Sequence, residues 1–143
     1  MDKLKKLDEL LQNLVSLEKR RKENIQRLQS LFKELGLDEK AGRFEDIFGF
    51  GAINVTGIWL QEDRFLQIQP NRYVQLIAIS RTDGRSKNIN LRYFGRSDAL
   101  EPGLIEKIGE FVIRWRFEKA FLNVEYYEKV VGRFDEKKVG LEV

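Results

Sequence analysis

A heptad pattern over the first 35 residues constrains the fold of this chain more than any other feature. Apolar residues recur at alternating spacings of three and four, at Leu4, Leu7, Leu11, Leu14, Ile25, Leu28, Phe32 and Leu35. This spacing, sustained over about four heptads, is typical of a coiled-coil helix. Asp2 can cap its start, and Gly36 can take the left-handed conformation that ends a helix. We therefore expect an oligomerisation helix over residues 1–36, about 50 Å long, which a small domain cannot bury alone.

Two further features bear on how this helix pairs. Leu10, Val15 and Leu17 widen the apolar stripe, which favours a bundle of more than two helices over a simple zipper. Glu18 and Arg21 occupy two positions of the seam, where a polar layer can fix the register of the helices. The alternative is a helix that packs on the sheet of its own chain or folds back as a hairpin.

The remaining residues, 37–143, predict one small α+β domain. We expect a short helix over 38–48, a four-stranded antiparallel meander and a helix over about 98–131. The predicted strands cover about 53–61, 64–70, 73–81 and 87–94. Asp83-Gly84 is a strong signal for a hairpin turn, and Pro102 suits the first turn of the last helix. The predicted fold class is therefore α+β, with a long helix at each end of the sheet.

The composition argues against most catalytic chemistry. The chain has no Cys and no His, so it has no disulfide, no thiolate nucleophile, no imidazole base and no zinc site of the usual kind. The acidic pairs Glu45-Asp46 and Glu62-Asp63, with Asp98 and Glu101, are in principle ligands for magnesium, but such pairs are common in solvated turns. We expect no enzyme, no cofactor and no metal site.

Location follows from what the sequence lacks. No apolar run approaches the length that spans a bilayer, and the residues after Met1 lead into the heptads without the apolar block of a signal peptide. We expect a cytoplasmic protein with no membrane partner. High charge, no Cys and a single Met also fit a thermophile.

Charge and aromatic residues carry the one functional signal. The formal net charge is +3, and residues 51–100 hold seven cations against four acids, with Arg in all but one cationic position. Arginines and amides recur beside aromatic rings, which suits single-stranded nucleic acid because phosphates need cations and unpaired bases need flat surfaces. Strand alternation predicts an amide-rich sheet face that carries this site. The candidate nucleic-acid-binding residues are Arg64, Phe65, Gln67, Gln69, Arg72, Tyr73, Asn90, Arg92, Phe94, Arg96, Arg114, Trp115 and Arg116.

Other interpretations compete with this site. An Arg next to an aromatic residue in a strand also arises when the ring points inward and the cation outward, and Trp115 on a long helix suits a core or an interface. We predict an oligomeric single-stranded nucleic-acid-binding protein, a dimer or tetramer, without strong sequence specificity. The alternatives are a structural or adaptor protein that assembles through its coiled-coil helices, possibly viral, and a metal-dependent nuclease that uses the acidic pairs.

The combination of heptad helices, a small sheet, surfaces with Arg and aromatic residues, and absent Cys and His resembles the ThermoDBP-type single-stranded DNA-binding proteins of hyperthermophilic archaea. The resemblance lies in the architecture and covers most of the chain. It implies oligomers held by zipper helices and DNA binding without strong sequence preference. The family's zipper is C-terminal, where this chain has Ile105, Ile108, Val112, Trp115, Leu122 and Tyr126, whereas its more regular heptads are N-terminal.

Overall fold

The computed structural model describes the backbone of residues 2–142 and the side chains of residues 2–137. It confirms an α+β fold with a long helix at each end of an antiparallel sheet. The helices are α1 (Asp2–Glu34), α2 (Asp38–Ala41) and α3 (Pro102–Glu142), and the strands are β1 (Ala52–Val55), β2 (Tyr73–Thr82) and β3 (Arg85–Arg96). Short 3-10 helices cover Phe44–Gly49, Glu62–Arg64 and Ser97–Ala99.

Helix α1 ends where the sequence predicts. Gly36 has φ of +64°, a conformation that costs glycine little because it has no Cβ. The amide of Leu37 donates to the carbonyl of Phe32 at 3.1 Å, and that of Gly36 donates to Lys33 at 3.0 Å. These two bonds satisfy carbonyls of the last turn, and the burial of Leu37 and Phe32 adds the apolar contact that accompanies this motif. The chain therefore turns sharply from α1 into the sheet region.

The sheet has three strands rather than the predicted four. Their order is β1-β2-β3, with both pairs antiparallel. The segment predicted as a strand over 64–70 contains the end of a 3-10 helix and a single bridge between Ile68 and Ile58. Positive φ angles of 79° at Gly57 and 65° at Leu66 interrupt the extended backbone, so β1 ends at Val55 instead of continuing to residue 61.

Two helix predictions also need correction. The helix expected over 38–48 is divided, because Gly42 has φ of +81° and separates α2 from the 3-10 helix Phe44–Gly49. The helix expected over 98–131 begins at Pro102, after the 3-10 helix Ser97–Ala99, and continues to Glu142. No helix within residues 2–142 is both long and apolar enough to cross a membrane.

The core lies between one face of the sheet and the two long helices. Ile53, Val74 and Leu76 of the sheet are buried there with Leu28 of α1 and Ile108 of α3. The two helices run antiparallel, since Lys107 pairs with Glu34, while Glu118, further along α3, pairs with the earlier Arg21. Residues 2–20 of α1 are all exposed. The last third of α1 thus packs into the core alongside α3, and the first half extends beyond the core.

Candidate nucleic-acid interface

Irregularities in strand pairing decide which side chains reach the open face of the sheet. The register of β2 and β3 shifts between Val74 and Gln75, and again between Leu76 and Ile77. Each shift inserts an extra residue in β3 and reverses the alternation of the side chains that follow. As a result Tyr93 pairs with Gln75 instead of facing the core, and Arg92 pairs with the buried Leu76.

We call the side of the sheet that faces away from α1 and α3 the outer face. Tyr73 and Tyr93 lie on it, 54% and 53% exposed, with ring centroids 5.7 Å apart. Beside them the amide nitrogen of Asn90 donates to the side-chain oxygen of Gln75 at 3.0 Å. The pairing places four further side chains on the same face, at Ile77, Ile79, Asn88 and Asn54. This surface combines two rings with apolar and amide contacts, which suits unstacked bases.

The charge of the sheet is one-sided. The three strands contain no acidic residue and five cations, at Arg81, Arg85, Lys87, Arg92 and Arg96. Because the whole chain has a formal net charge of +3, the residues outside the strands sum to −2. The excess positive charge of the protein is therefore concentrated on the sheet, where the two tyrosines are exposed.

Cations lie at the border of the outer face. Arg96 pairs with Tyr73 in the ladder and donates to the side chain of Asn71 at 2.7 Å, with Asp98 at 3.8 Å. Arg116 reaches from α3 around β1 and donates to the side-chain oxygen of Asn54 at 3.1 Å. Arg72 is exposed directly before Tyr73. Of the predicted residues, the structure thus brings together Arg72, Tyr73, Asn90, Arg96 and Arg116.

Arg92 and Phe94 do not lie on the outer face as predicted. The guanidinium of Arg92 donates to the carbonyl of Leu35 at the end of α1, so this cation caps a helix. It also lies over the ring of Phe94, 5.3 Å from the centroid, and Phe94 packs against the core. The register shifts are the physical reason, because they turn both side chains inward.

The residues predicted from the segment 64–69 belong to a loop and not to a strand of the sheet. Arg64 covers the ring of Trp59, 5.1 Å from the centroid, and Phe65 is half exposed. The amide and carbonyl of Gln67 bond to backbone groups of Arg64 and Trp59. Gln69 lines a shallow hollow beside Trp59 and Arg116. Arg64 and Phe65 therefore contact other parts of the molecule, whereas Gln69 lies at the edge of the sheet near Arg116 and Asn54.

Phe65 and Arg114 belong instead to a cleft of about 670 Å³ between α1 and α3. Its apolar surface comes from Phe65, Leu66, Ile113 and Phe117. Glu110 receives hydrogen bonds from Arg27 at 3.0 Å and from Arg114 at 2.7 Å. The bond from Arg27, then that from Arg114, lowers the pKa of Glu110 against the opposing effect of burial. Three arginines and three glutamates line this cleft, so it offers a polyanion no net attraction.

Trp115 is part of the core and not a platform for bases. Its side chain is 2% exposed, and the indole nitrogen donates to the carbonyl of Ile47 at 2.9 Å. Lys119 lies 6.0 Å from the ring centroid and donates to the carbonyl of Phe48. Both bonds tie α3 to the 3-10 helix that precedes β1. The prediction that Trp115 stacks on bases is wrong for this reason.

The residue that the prediction missed on the outer face is Tyr93. Period-two alternation assigns it to the core because Ile89 and Leu91 precede it at even spacing. Gly95, with φ of +114°, follows shortly after, and glycine inside a strand often marks a bulge. That glycine is the one local signal for the shift near Val74, whereas the shift at Leu76 has no counterpart in the sequence.

Within the part of the chain whose side chains are described, no group of three or more acidic residues is placed to hold a metal ion. Comparison with protein-family models, with curated proteins and with solved structures finds no match to this chain.

Proposed function

We propose that this chain is an oligomeric protein that binds single-stranded nucleic acid on the outer face of its sheet, without strong sequence specificity. The observation that carries the proposal is the pair of exposed tyrosines, Tyr73 and Tyr93, on a sheet that contains cations and no acidic residue. Aromatic stacking accepts every base, since every base has a flat face, and so supplies affinity without selectivity.

The neighbouring groups support the same ligand. Gln75 and Asn90 are hydrogen-bonded to one another in the free protein. Each amide carries both donors and acceptors, so the two side chains can exchange this bond for bonds to the edges of different bases. Arg72, Arg96 and Arg116 lie at the border, where phosphates of a strand crossing the tyrosines would pass. A net charge of only +3 disfavours wrapping of duplex DNA, which requires many phosphate contacts. We propose DNA rather than RNA as the ligand because the architecture resembles that of ThermoDBP-type proteins, which bind single-stranded DNA.

Oligomerisation is part of the proposal because of the long helices. The apolar side chains of the first half of α1 are exposed, with Leu4 at 72% and Val15 at 66%. On α3, Val124, Tyr127, Val131 and Phe134 continue the alternating spacing and are also exposed. Contiguous apolar surfaces of this kind mark protein interfaces. A second copy of the chain, in a dimer or tetramer, would cover them and present more than one sheet to the same strand, which raises avidity.

The test compares the two tyrosines of the outer face with an exposed aromatic ring elsewhere in the molecule. Tyr73→Ala and Tyr93→Ala should each weaken binding of a labelled oligothymidylate by about 5- to 150-fold, because one stacked base is worth about 1–3 kcal/mol. Phe65→Ala is the matched control, since this ring is also half exposed but lies in the cleft between α1 and α3. Fluorescence anisotropy at fixed salt gives the dissociation constants. Equal affinities for wild type and both sheet variants would refute the outer face as the site.

A structural or adaptor role is the second candidate, and the exposed stripe of α1 favours it. Such a stripe also suits helices of another protein. The two functions differ in a simple measurement, namely light scattering of the purified chain with and without oligothymidylate. A monomer that binds no oligonucleotide at low salt would favour the adaptor, whereas an oligomer that gains mass with oligonucleotide supports the first proposal.

A further inference from the structure

The hairpin of β2 and β3 extends past the rest of the sheet. Strand β1 pairs with β2 only from Leu76 to Ile79, so within residues 2–142 the ribbon from Ser80 to Lys87 has no third strand beside it. Residues 81–88 are all exposed. With about 3.3 Å of rise per residue, this tip reaches roughly 10 Å beyond the last pair with β1. We call the segment from Ser80 to Lys87 the hairpin tip.

The turn of the hairpin tip has a defined shape. Asp83 and Gly84 are its two central residues, with φ of 53° and 75°. Two successive left-handed residues form the turn type whose twist matches that of paired strands. The ladder continues up to the turn, since Thr82 pairs with Arg85 and Arg81 with Ser86. The side chains of the tip therefore have fixed directions.

The hairpin tip is cationic on both of its faces. Arg81 follows Ile77 and Ile79 on the outer face, while Lys87 and Arg85 pair with Ser80 and Thr82 on the other. None of these three cations has a carboxylate within ion-pair distance among the side chains of residues 2–137. Five arginines elsewhere do have such partners, namely Arg21, Arg27, Arg64, Arg96 and Arg114. Asp83 is the one acidic residue of the hairpin tip.

We infer that the hairpin tip is a phosphate clamp for the strand whose bases lie on Tyr73 and Tyr93. This inference rests on the proposed function and deepens it. Arg81 lies on the same face as the tyrosines and eight positions along β2 from Tyr73, a distance of about 27 Å at the rise of an antiparallel strand. A strand that leaves the tyrosines along β2 reaches the tip after several nucleotides. The clamp thus sets the length of the site and gives the bound strand one direction of exit.

The salt dependence of binding separates the clamp from the stacking platform. Each phosphate contact made by a cation releases a counterion and adds about 0.7 to the slope of log K against log salt for a single strand. Replacement of Arg81, Arg85 and Lys87 by Gln should therefore lower the slope by about 2 for an oligothymidylate of about 12 nucleotides. Tyr73→Ala and Tyr93→Ala should lower the affinity at every salt concentration and leave the slope unchanged.

The matched control is the triple replacement of Lys33, Lys40 and Arg43 by Gln. These cations are also exposed, lie on the helical side of the molecule and have no ion pair among the described side chains. The control removes the same number of positive charges from a surface away from the outer face. It should leave the salt slope unchanged and alter the affinity by no more than about twofold. Circular dichroism before each titration shows that the variants are folded.

A second variant acts in the opposite direction and cannot fail by unfolding the tip. Asp83→Asn removes the one acidic side chain and leaves Asn-Gly, the sequence that this turn prefers. We expect binding at low salt to tighten by about two- to fivefold. An unchanged slope in the triple hairpin variant, together with no gain from Asp83→Asn, would overturn the clamp while leaving the platform intact. Absence of binding by the wild type would instead refute the proposed function itself.

Discussion

Loss of Arg21 should destabilise the protein more than loss of any neighbouring cation. Arg21 donates to Glu118 at 2.7 Å and to Glu125 at 2.7 Å, and it covers the ring of Phe121 at 4.6 Å. Glu118 is 5% exposed, so Arg21 reaches a carboxylate that is almost fully buried. The hydrogen bond with Glu118 is the main reason that the pKa of Arg21 is raised. The cluster joins α1 to α3 at the edge of the core.

The size of the effect follows from the burial of Glu118. Removal of one partner from a buried ion pair costs about 3–5 kcal/mol, because the other charge is left unpaired. Here the side chain of Arg21 is 29% exposed, so water reaches part of the site, and we expect Arg21→Met to cost about 2–3 kcal/mol. For a chain of this size the melting temperature should fall by about 6–12 °C.

The assay is urea unfolding followed by circular dichroism at one protein concentration, since oligomerisation makes stability depend on concentration. Arg20→Met is the control, because Arg20 is exposed and has no ion pair among the described side chains. Arg21→Met combined with Glu118→Met should recover most of the loss, since a packed apolar pair often replaces a buried ion pair without cost. If Arg21→Met is as mild as Arg20→Met, the cluster does not hold the helices together and our reasoning fails.

Two further predictions concern acid and assembly. Hydrogen bonds lower the pKa of Glu110 in the folded state. The stabilisation of the fold by this carboxylate is therefore complete above the ordinary carboxyl pKa of about 4.3, and it is lost as pH falls through the lower pKa of the folded state. Glu110→Gln should be less stable than wild type at pH 7, and this difference in unfolding free energy should close below about pH 4 in urea titrations. Leu11→Lys should reduce the mass seen by light scattering without changing the helical signal in circular dichroism, because Leu11 is exposed. Leu28→Lys should prevent folding, because Leu28 is fully buried. Equal behaviour of the two variants would contradict this division of α1 into an exposed and a buried part.

The local signals of the sequence predict the parts of the fold that depend on neighbouring residues. The leucine heptads predict α1, Gly36 predicts its end, and Asp83-Gly84 predicts the hairpin, because each depends on backbone preferences of a few adjacent residues. The same heptad seam is exposed at Leu11 and buried in the core of the chain at Leu28. Periodicity cannot distinguish these environments, since an apolar stripe has the same spacing whether its partner is a helix or a sheet.

Which residues form the candidate site depends on register shifts and left-handed backbone positions, and the alternation of side chains along a strand does not reveal these. Two register shifts bring Tyr93 to the outer face and turn Arg92 and Phe94 away from it. Left-handed residues at Gly57 and Leu66 convert a predicted pair of strands into a loop, which removes Phe65 from the sheet. Gly57 carries a signal for this in its residue type, but Leu66 does not. Tyr73 and Asn90 keep the predicted face, because β2 alternates without interruption and Asn90 lies on the turn side of both shifts.

The central claim is that unpaired bases lie on Tyr73 and Tyr93. Photo-crosslinking of an oligonucleotide that carries 5-bromodeoxyuridine, followed by digestion and mass spectrometry, reports directly which side chains touch the bases. The account predicts adducts at these two tyrosines that an excess of unlabelled oligothymidylate removes. Adducts confined to the cleft at Phe65 and Phe117, or no adduct under conditions that saturate binding, would contradict it.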